Sequence, residues 1–170
     1  MDILAHALWT NITFFKKYKT EKKSRWWAVF FGIFPDLVSF SPVFLFYLLF
    51  KLTEIAWIGG LRDWFWHNYS AQSYNYSHSL VTFGLVFLVA LVIRRGRAYW
   101  PLLGWALHIM LDIFTHPSFY QTPFLFPLSN FKNHYAISWA DPRFMLVNYG
   151  SMAIVYGLVY FFQKKKAAKK

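Results

Sequence analysis

Three side chains that could bind a metal share one face of an apolar segment. His108, Asp112 and His116 are spaced four residues apart within the run 104–116, which is otherwise almost entirely apolar. On a helix this spacing places all three within an arc of about 80°. Ionisable groups inside an apolar helix are costly and usually functional, and histidine and carboxylate are common zinc ligands. The pattern therefore favours a metal site over polar groups hydrogen-bonded in a helical core.

The length of this face limits how ions could be held. His108 and His116 are separated by about 12 Å along a helix axis, so one ion cannot bind both. Either His116 lies outside the primary site, or Asp112 bridges two ions with a histidine on each side. Paired catalytic ions lie about 3.5–4 Å apart, a distance that a bridging carboxylate spans.

The composition is typical of an integral membrane protein. Of the 170 residues, 57% are hydrophobic, 24% are aromatic and 15% are charged, which is unusual for a soluble domain. The net charge is +11, but the basic residues cluster at the ends of apolar runs, as topology signals do, so we expect no nucleic-acid partner. The chain contains no cysteine, and a metal must therefore be held by histidine nitrogens and carboxylate oxygens.

The first two of the elements that must position these groups are apolar segments. Residues 1–15 lack the features of a signal peptide and are short for a span, so we expect a mature helix inserted into the membrane. The run 26–50 is long enough to span, but Pro35 and Pro42 interrupt it, and we expect a kinked or discontinuous span. Asp36 beside the first interruption predicts a cavity there.

The rest of the chain alternates aromatic, apolar and loop-like segments. Residues 51–78 are rich in tryptophan and tyrosine, with a turn at Gly59-Gly60, and suit a connecting loop in an aromatic belt at the headgroup level. Further spans are expected at 79–93, 99–115 and 145–162, with a Pro-, Asn- and Ser-rich loop at 117–143.

The basic residues predict the orientation. Fourteen of the 18 lysines and arginines lie at 16–25, 94–97 and 164–170. With four spans, all three clusters fall on one side of the membrane, which the positive-inside rule makes cytoplasmic. We therefore expect one membrane-embedded domain, residues 1–163, and a basic cytoplasmic tail, residues 164–170, in a membrane such as the prokaryotic inner membrane.

Five ionisable side chains from four segments fall at a similar depth. Counted at 1.5 Å per residue from the segment boundaries, each lies between the midplane and the outer boundary of a core about 30 Å thick. A divalent cation held by both carboxylates would offset the cost of burying them. Three histidines and two carboxylates suit Zn²⁺, with Mn²⁺ or Fe²⁺ as alternatives, and such a site turns bound water into a hydroxide nucleophile. The five are His6, Asp36, His78, His108 and Asp112.

Several short motifs occur in a familiar order along most of the chain. They are Met1-Asp2 with His6, Pro35-Asp36, Ser77-His78-Ser79, His108-x-x-x-Asp112, Phe126-Pro127-Leu128-Ser129 and Asp141-Pro142. In this set the chain resembles the YdjM/YbcI-like family of membrane-bound, metal-dependent hydrolases, which is similar to zinc-dependent phospholipase C. The resemblance implies a phospholipase C-like metal core, phosphoester hydrolysis on a lipid or related substrate, and metal ligation by the five residues above. It also implies that Asp36 doubles as general base or water-orienting group.

The chain departs from the soluble phospholipases at one point. Those enzymes carry a third metal site with further histidine and glutamate ligands. Here the only glutamates are Glu21 and Glu54, and neither is suitably placed, so we expect one or two ions.

Other polar residues near this set have more than one interpretation. Ser77 and Ser79 either orient His78 or cap a helix N-terminus. His116 is a second-ion ligand, a proton donor to the leaving group, or an interfacial residue at a helix end. Residues expected outside the site are His67 and His134 in loops, the solvated pair Arg62 and Asp63, and Asp141-Pro142, which suits a turn or a helix start.

These observations predict an all-α, multi-span helical bundle with about four spans and an N-terminal inserted helix. The expected function is a membrane-embedded metal-dependent hydrolase acting on a lipid-like or other amphipathic phosphoester, with Asp36 and His116 as catalytic residues. Aromatic residues in 57–76 would line its lipid-facing opening. The alternatives are an intramembrane metal or proton transporter and a non-catalytic membrane protein with a structural metal. The bare apolar runs 80–93 and 145–162 argue against a transport pathway.

Overall fold

The computed structural model of the chain describes residues 1–18, 21–117 and 121–167. Within these ranges every regular element is helical and no strand occurs, as the sequence predicts. A π-helical segment, Phe65–Ser70, joins the third and fourth α-helices, and a 3₁₀ turn, Trp100–Leu102, precedes the sixth. The α-helices are α1 (Ile3–Phe15), α2 (Lys22–Thr53), α3 (Ala56–Trp64), α4 (Ala71–Ser77), α5 (Leu80–Ile93), α6 (Leu103–Thr115) and α7 (Pro142–Ala167).

Two of these helices, α2 and α7, are long and apolar enough to cross a membrane. The segment Trp57–Ser77 and α5 meet the same criteria as a pair, but their axes are bent by 62°. The shorter helix α1 and the segment Trp100–Thr115 are also apolar. Large apolar side chains are exposed along these helices, for example Val92 and Leu146, each at 76%. Such exposure is consistent with the expected membrane protein, because lipid-facing surfaces are apolar.

Helix α2 is continuous through both of its prolines. Of the two alternatives expected for this span, kinked or discontinuous, the discontinuous one is therefore wrong. A proline leaves the carbonyl four residues before it without a helical donor. For Pro42 that carbonyl belongs to Val38, and it accepts a hydrogen bond from the Tyr69 hydroxyl at 3.0 Å. Tyr69 lies in the π-helical segment, which packs against α2. A neighbouring side chain thus replaces the missing backbone donor.

The aromatic segment 51–78 is largely helical and is not the expected loop. Gly59 and Gly60, which suggested a turn, lie inside α3. The role of Gly59 is close packing, since a Cβ atom there would lie 3.0 Å from the ring of Phe50. Tryptophan and tyrosine suit both an interfacial loop and a helix packed on α2, so composition alone did not separate the two.

Small residues bring α2 directly against its neighbours. A Cβ atom on Gly104 would overlap the carbonyl oxygen of Ala28, and one on Gly32 would overlap a side chain of α1. Glycine allows this approach because it has no side chain, as is common where apolar helices pack in membranes. His108 lies one turn after Gly104 on α6, and Asp36 lies one turn after Gly32 on α2. The close contacts therefore fix the spacing of the elements that carry these two side chains.

The loop expected at 117–143 is present, and it folds against the ends of α5 and α6. Ile137 and Trp139 donate backbone hydrogen bonds of 2.9 and 3.0 Å to the last carbonyls of α6, which a helix end leaves unpaired. The Phe124 carbonyl accepts one of 2.9 Å from the first residue of α5. The loop thus closes the ends of the two helices beside His78 and Asp112. Residues 118–120 of this loop lie outside the described residues.

Helix α7 begins where Asp141-Pro142 predicts a start. The Asp141 carboxylate accepts a hydrogen bond of 2.7 Å from the amide of Arg143, as an N-cap does. The helix docks on α1 through Tyr149, whose hydroxyl donates to Asp2 at 2.8 Å. It continues to Ala167, so the basic tail begins as helix, and its last three residues, 168–170, lie outside the described residues.

Candidate metal centre

Four of the five expected ligands converge. Asp36 from α2, His78 at the end of α4, and His108 and Asp112 from α6 each offer one ligand atom, and these atoms all lie within 4.8 Å of one another. The side chains of His78, His108 and Asp112 are fully buried, and that of Asp36 is 14% exposed. Residues far apart in sequence thus form one buried acidic and imidazole cluster that could hold a metal ion.

The separations within the cluster suit a single ion. His78 Nε2 and His108 Nε2 are 3.1 Å apart. Asp112 Oδ2 lies 3.4 and 3.0 Å from these two nitrogens, and Asp36 Oδ1 lies 3.5 and 3.7 Å from them. An ion held tetrahedrally by bonds of about 2.0–2.1 Å separates its ligand atoms by about 3.3–3.4 Å. The five separations that involve a histidine nitrogen, 3.0 to 3.7 Å, are near that spacing.

Hydrogen bonds turn both imidazoles towards the cluster. His108 Nδ1 is 2.7 Å from the Gly32 carbonyl oxygen, and because a carbonyl only accepts, Nδ1 carries the hydrogen and Nε2 keeps its lone pair. His78 Nδ1 is 2.9 Å from the Ser77 hydroxyl oxygen, which is itself 2.9 Å from that of Ser39. Partners of this kind orient metal-binding histidines. The two Nε2 atoms face each other at hydrogen-bond distance, and a cation bound between them would take the place of that hydrogen bond.

Of the two serines beside His78, one orients the imidazole and the other caps a helix. Ser77 contacts the imidazole, as described, and its carbonyl accepts a hydrogen bond of 2.6 Å from Trp105 Nε1. Ser79 caps α5, where its hydroxyl accepts from two backbone amides at 3.1 and 3.2 Å. The backbone on both sides of His78 is therefore anchored.

The fifth expected ligand, His6, lies on the other side of Asp112. Its Nε2 is 2.9 Å from Asp112 Oδ1, and its ring stacks on His108 with centroids 3.7 Å apart. His116 Nδ1 is 3.2 Å from the same oxygen, and the Met1 amino group also contacts it. Asp112 thus faces His78 and His108 with Oδ2, and His6 and His116 with Oδ1. Within the described residues, the set that could hold an ion is Asp36, His78, His108 and Asp112, and His6 and His116 lie beside it on the other carboxylate oxygen.

Some buried polar atoms of this centre make no hydrogen bond within the part of the chain that the structure describes. They are Asp112 Oδ2 and both ring nitrogens of His6. Leaving such an atom unpaired costs about 1–3 kcal/mol. A cation could satisfy Asp112 Oδ2 on one side of the carboxylate or one ring nitrogen of His6 on the other, so these atoms fit the metal that the donor set suggests.

A cavity of about 950 Å³ opens beside the centre. Met1, Asp2, Asp36 and His116 form its polar end, and apolar side chains of α2 form much of the remaining wall. Asp36 belongs both to the four-residue cluster and to the wall of the cavity. This is the cavity that Asp36 predicted, and a molecule inside it could reach the centre.

Of the residues set aside from the sequence, His67, His134 and Asp63 are exposed and Arg62 is half-buried. His67 lies in the π-helical segment, not in the expected loop. His134 is in the loop as expected, and its ring is 3.3 Å from the Gln121 amide nitrogen. Arg62 and Asp63 form an ion pair of 2.6 Å, with side-chain exposures of 29% and 60%.

Sequence reasoning missed several groups that support the centre. They are Ser39, Trp105, Thr115 and the Met1 amino group, which reaches the Thr115 hydroxyl at 3.1 Å. Ser39 had a usable signal, because it lies three residues from Asp36 on α2 and its hydroxyl had to find a partner in an apolar segment. The other three depend on contacts between distant elements.

Comparison of the chain with models of protein families, with curated proteins and with solved structures finds no match in any of the three. The family resemblance of the motifs therefore stays a prediction, and the functional case depends on the geometry of the centre and its cavity.

Proposed function

We propose that the protein is a membrane-embedded metal-dependent hydrolase that cleaves a phosphoester bond of a lipid or other amphipathic substrate. One observation carries this proposal above the others. Asp112 presents each carboxylate oxygen to a different pair of histidines, and two of its neighbours in the centre, Asp36 and His116, lie on the wall of a large, mainly apolar cavity. A bridging carboxylate beside a substrate-sized cavity is the arrangement that paired-ion phosphoesterases need.

The proposed cofactor is zinc, in two sites that share Asp112. Asp36, His78 and His108 would complete the first site, and His6 and His116 the second. Nitrogen and carboxylate ligands without sulfur suit Zn²⁺ and leave Mn²⁺ or Fe²⁺ possible. Zinc held there would supply Lewis acidity towards a phosphoryl oxygen and would acidify a bound water.

Side chains of the protein would activate the water, protonate the leaving group and hold the geometry of the centre. Asp36 is the partly exposed member of the cluster, so it can hold the attacking water in the cavity and accept its proton. His116, 12% exposed and also on the cavity wall, completes the second site or gives a proton to the leaving group. The buried imidazoles and their hydrogen-bond partners hold the geometry and exclude bulk water.

The proposed membrane setting has four spans, α2, α5, α6 and α7, with α1 inserted from the cytoplasmic side of an inner membrane. Supporting this, Lys17 Nζ lies 4.1 Å from the centroid of the Trp100 ring. The contact brings the basic segment 16–25 and the turn after α5, which carries the cluster 94–97, to the same end of the bundle. By the positive-inside rule this end is cytoplasmic, together with the basic tail.

The test uses the full-length protein purified in detergent, stripped of metal and then reloaded with zinc. Product should appear from a generic phosphodiester or a phospholipid only after reloading. Asp36→Asn should lower kcat by about 10²–10⁴-fold, the range for losing a general base, with an unchanged unfolding temperature. Asp63→Asn, on an exposed aspartate outside the centre, should retain wild-type turnover.

Two other outcomes would replace the proposal. Zinc transport into vesicles, with no substrate cleaved, would assign a transporter. Unfolding on metal removal, again with no substrate cleaved, would assign a structural metal.

A further inference from the structure

Two basic segments that are far apart in the sequence meet at one end of the protein. Lys17 Nζ lies 4.1 Å from the centroid of the Trp100 ring, and Trp100 follows closely after the turn 94–97. The segment 16–25 and this turn therefore form one surface, which we call the basic end. Its described lysines and arginines are Lys16, Lys17, Lys22, Lys23, Arg25, Arg94, Arg95 and Arg97.

The positive charge of the basic end has little compensation from the protein itself. All of these side chains are exposed except Arg25, which is half-buried. The described carboxylate among them is Glu21, which accepts a hydrogen bond of 3.1 Å from Ser24. In the part of the chain that the structure describes, the lysine or arginine paired with a carboxylate is Arg62, on α3. The cations of the basic end repel one another, and an anion from outside the chain would relieve that repulsion.

The turn after α5 is the most crowded part of this surface. It carries three arginines in four residues, all exposed, and Arg95 has a φ of 52°. This left-handed region is disfavoured for a residue with a Cβ atom, whereas glycine occupies it readily. Glycine at position 95 would therefore suit the backbone better than arginine does. A strained position that keeps a guanidinium indicates a role for that side chain.

Exposed tryptophans indicate that the basic end lies at a membrane surface and not in bulk water. Trp26, Trp27 and Trp100 are 61%, 42% and 47% exposed, and such tryptophans are typical of the headgroup level of a bilayer. Arg94 is held in the same region, because its Cζ lies 5.0 Å from the centroid of the Tyr99 ring. Each lysine or arginine close to an anionic membrane surface strengthens binding by about fivefold.

We propose that the basic end binds the phosphate headgroups of anionic phospholipids, with the arginines of the turn 94–97 as its main contacts. The proposal is independent of the hydrolase function, of the metal centre and of the leaflet that the basic end faces. A lipid supplies phosphate at the depth of the tryptophans, whereas free phosphate would leave those rings without an apolar neighbour. Because the headgroups contact segments that join different helices, anionic lipid should also stabilise the fold.

The experiment follows the unfolding temperature of the full-length protein, as purified, in a zwitterionic detergent. Phosphatidylglycerol, or phosphatidylcholine with the same acyl chains, is added in steps, and the concentration dependence gives an apparent Kd. Phosphatidylglycerol should raise the unfolding temperature, whereas phosphatidylcholine and inorganic phosphate at equal concentration should not. The rise should shrink at about 1 M salt, where the Debye length is about 3 Å. An equal rise with phosphatidylcholine, or with inorganic phosphate, would overturn the proposal.

A charge-matched pair of triple variants tests the position of the surface. Replacing the three arginines of the turn with glutamine should weaken phosphatidylglycerol binding by about 10–100-fold. The control removes three cations outside the basic end and should bind as wild type does. Similar losses in both would show that net charge alone attracts the lipid, which would overturn a defined surface. The first variant carries Arg94→Gln, Arg95→Gln and Arg97→Gln, and the control carries Lys51→Gln, Lys132→Gln and Arg143→Gln.

Arg95→Gly separates binding from folding. In phosphatidylcholine this variant should unfold at a higher temperature than wild type, because glycine suits the backbone at this position. In phosphatidylglycerol it should gain less than wild type does, with an apparent Kd about fivefold weaker. A gain from phosphatidylglycerol equal to that of wild type would show that the Arg95 side chain serves no lipid, and would overturn its place in the surface.

Discussion

A carboxylate buried among apolar helices is costly unless cations or donors surround it, and imidazole nitrogens lie beside both oxygens of Asp112. Oδ2 lies 3.0 Å from His108 Nε2, and Oδ1 lies 2.9 Å from His6 Nε2. Because the two imidazoles approach different oxygens, each could bind its own ion while Asp112 binds both. The two sites should then be separable by substitution.

Metal stoichiometry is the corresponding measurement. Asp112→Asn should lose both ions, because it weakens the shared ligand, whereas His78→Gln and His6→Gln should each lose one. The exposed His134 supplies the control, and His134→Gln should bind as wild type does. Elemental analysis of each purified variant after zinc loading and dialysis gives the count. If His6→Gln kept the full wild-type content, a second site on Oδ1 would be ruled out.

His116 has two possible roles, and one substitution distinguishes them. Its Nδ1 is 3.2 Å from Asp112 Oδ1, so we expect His116→Gln to lose one ion. A proton donor behaves differently, because its loss slows esters with poor leaving groups far more than those with acidic phenols. Full metal content, combined with a kcat defect confined to poor leaving groups, would assign proton donation instead.

The sequence could predict which residue types meet, but not how they are held. Spacing on α6 and depth along four segments were enough to bring His6, Asp36, His78 and the α6 pair together. The contact between Trp105 and Ser77, and that of the Met1 amino group with Asp112, depend on how helices pack and have no local pattern. Hydrogen bonds to the imidazoles could be anticipated for Ser77 because it adjoins His78.

At the scale of elements, α2 shows why proline alone is a poor guide to helix breaks. A proline in an apolar helix is tolerated when a neighbouring group satisfies the freed carbonyl. The Tyr69 hydroxyl does so for Val38, and it belongs to a segment that sequence analysis took for a loop. Because composition alone predicted a loop at 51–78, the sequence analysis missed the helices there. It therefore also missed the donor that keeps α2 continuous.

Tyr69 and Pro42 should be energetically coupled. Tyr69→Phe leaves the Val38 carbonyl without its donor, which should lower the free energy of unfolding by about 1–3 kcal/mol. In a Pro42→Ala background the backbone amide of residue 42 can bond to Val38, so Tyr69→Phe should then cost much less. Denaturant unfolding of the four proteins in one detergent gives the interaction energy. Equal costs in both backgrounds would show that the hydroxyl does not serve this carbonyl.

The glycine contact between α2 and α6 predicts a packing effect on the metal centre. Gly104→Ala places a methyl group against the Ala28 carbonyl, so we expect a loss of about 1–3 kcal/mol in unfolding free energy. Zinc affinity should also fall, since His108 follows one turn later. Gly84→Ala on α5 is the matched control, because a Cβ there meets nothing within 4 Å, and better helix propensity should leave it neutral or stabilised by up to about 1 kcal/mol. Unchanged zinc affinity in Gly104→Ala would separate the packing contact from the site.

At the scale of the whole molecule, apolar content and charge clusters predicted a helical membrane protein, and length decides which helices could cross. Only α2 and α7, among the helices described, pass that test alone. Helices α5 and α6 are shorter, with 14 and 13 residues, or about 20 Å, against a core of about 30 Å. A short helix can still cross where polar groups and aromatic side chains extend it or the bilayer thins. Helix length alone therefore leaves the number of crossings to be measured.

The absence of native cysteine makes that measurement direct, because each introduced thiol is labelled alone. Arg95→Cys, Tyr135→Cys and Lys164→Cys place probes after α5, in the loop before α7 and at the end of α7. With four crossings, a membrane-impermeant reagent on spheroplasts should label Tyr135→Cys and reach the other two only after permeabilisation, since their basic surroundings stay cytoplasmic. If only α2 and α7 cross, Arg95→Cys becomes accessible as well. If Trp57–Ser77 and α5 form one bent span and α6 does not cross, Tyr135→Cys is protected and Lys164→Cys is labelled. That result would place the basic tail outside and contradict the proposed orientation.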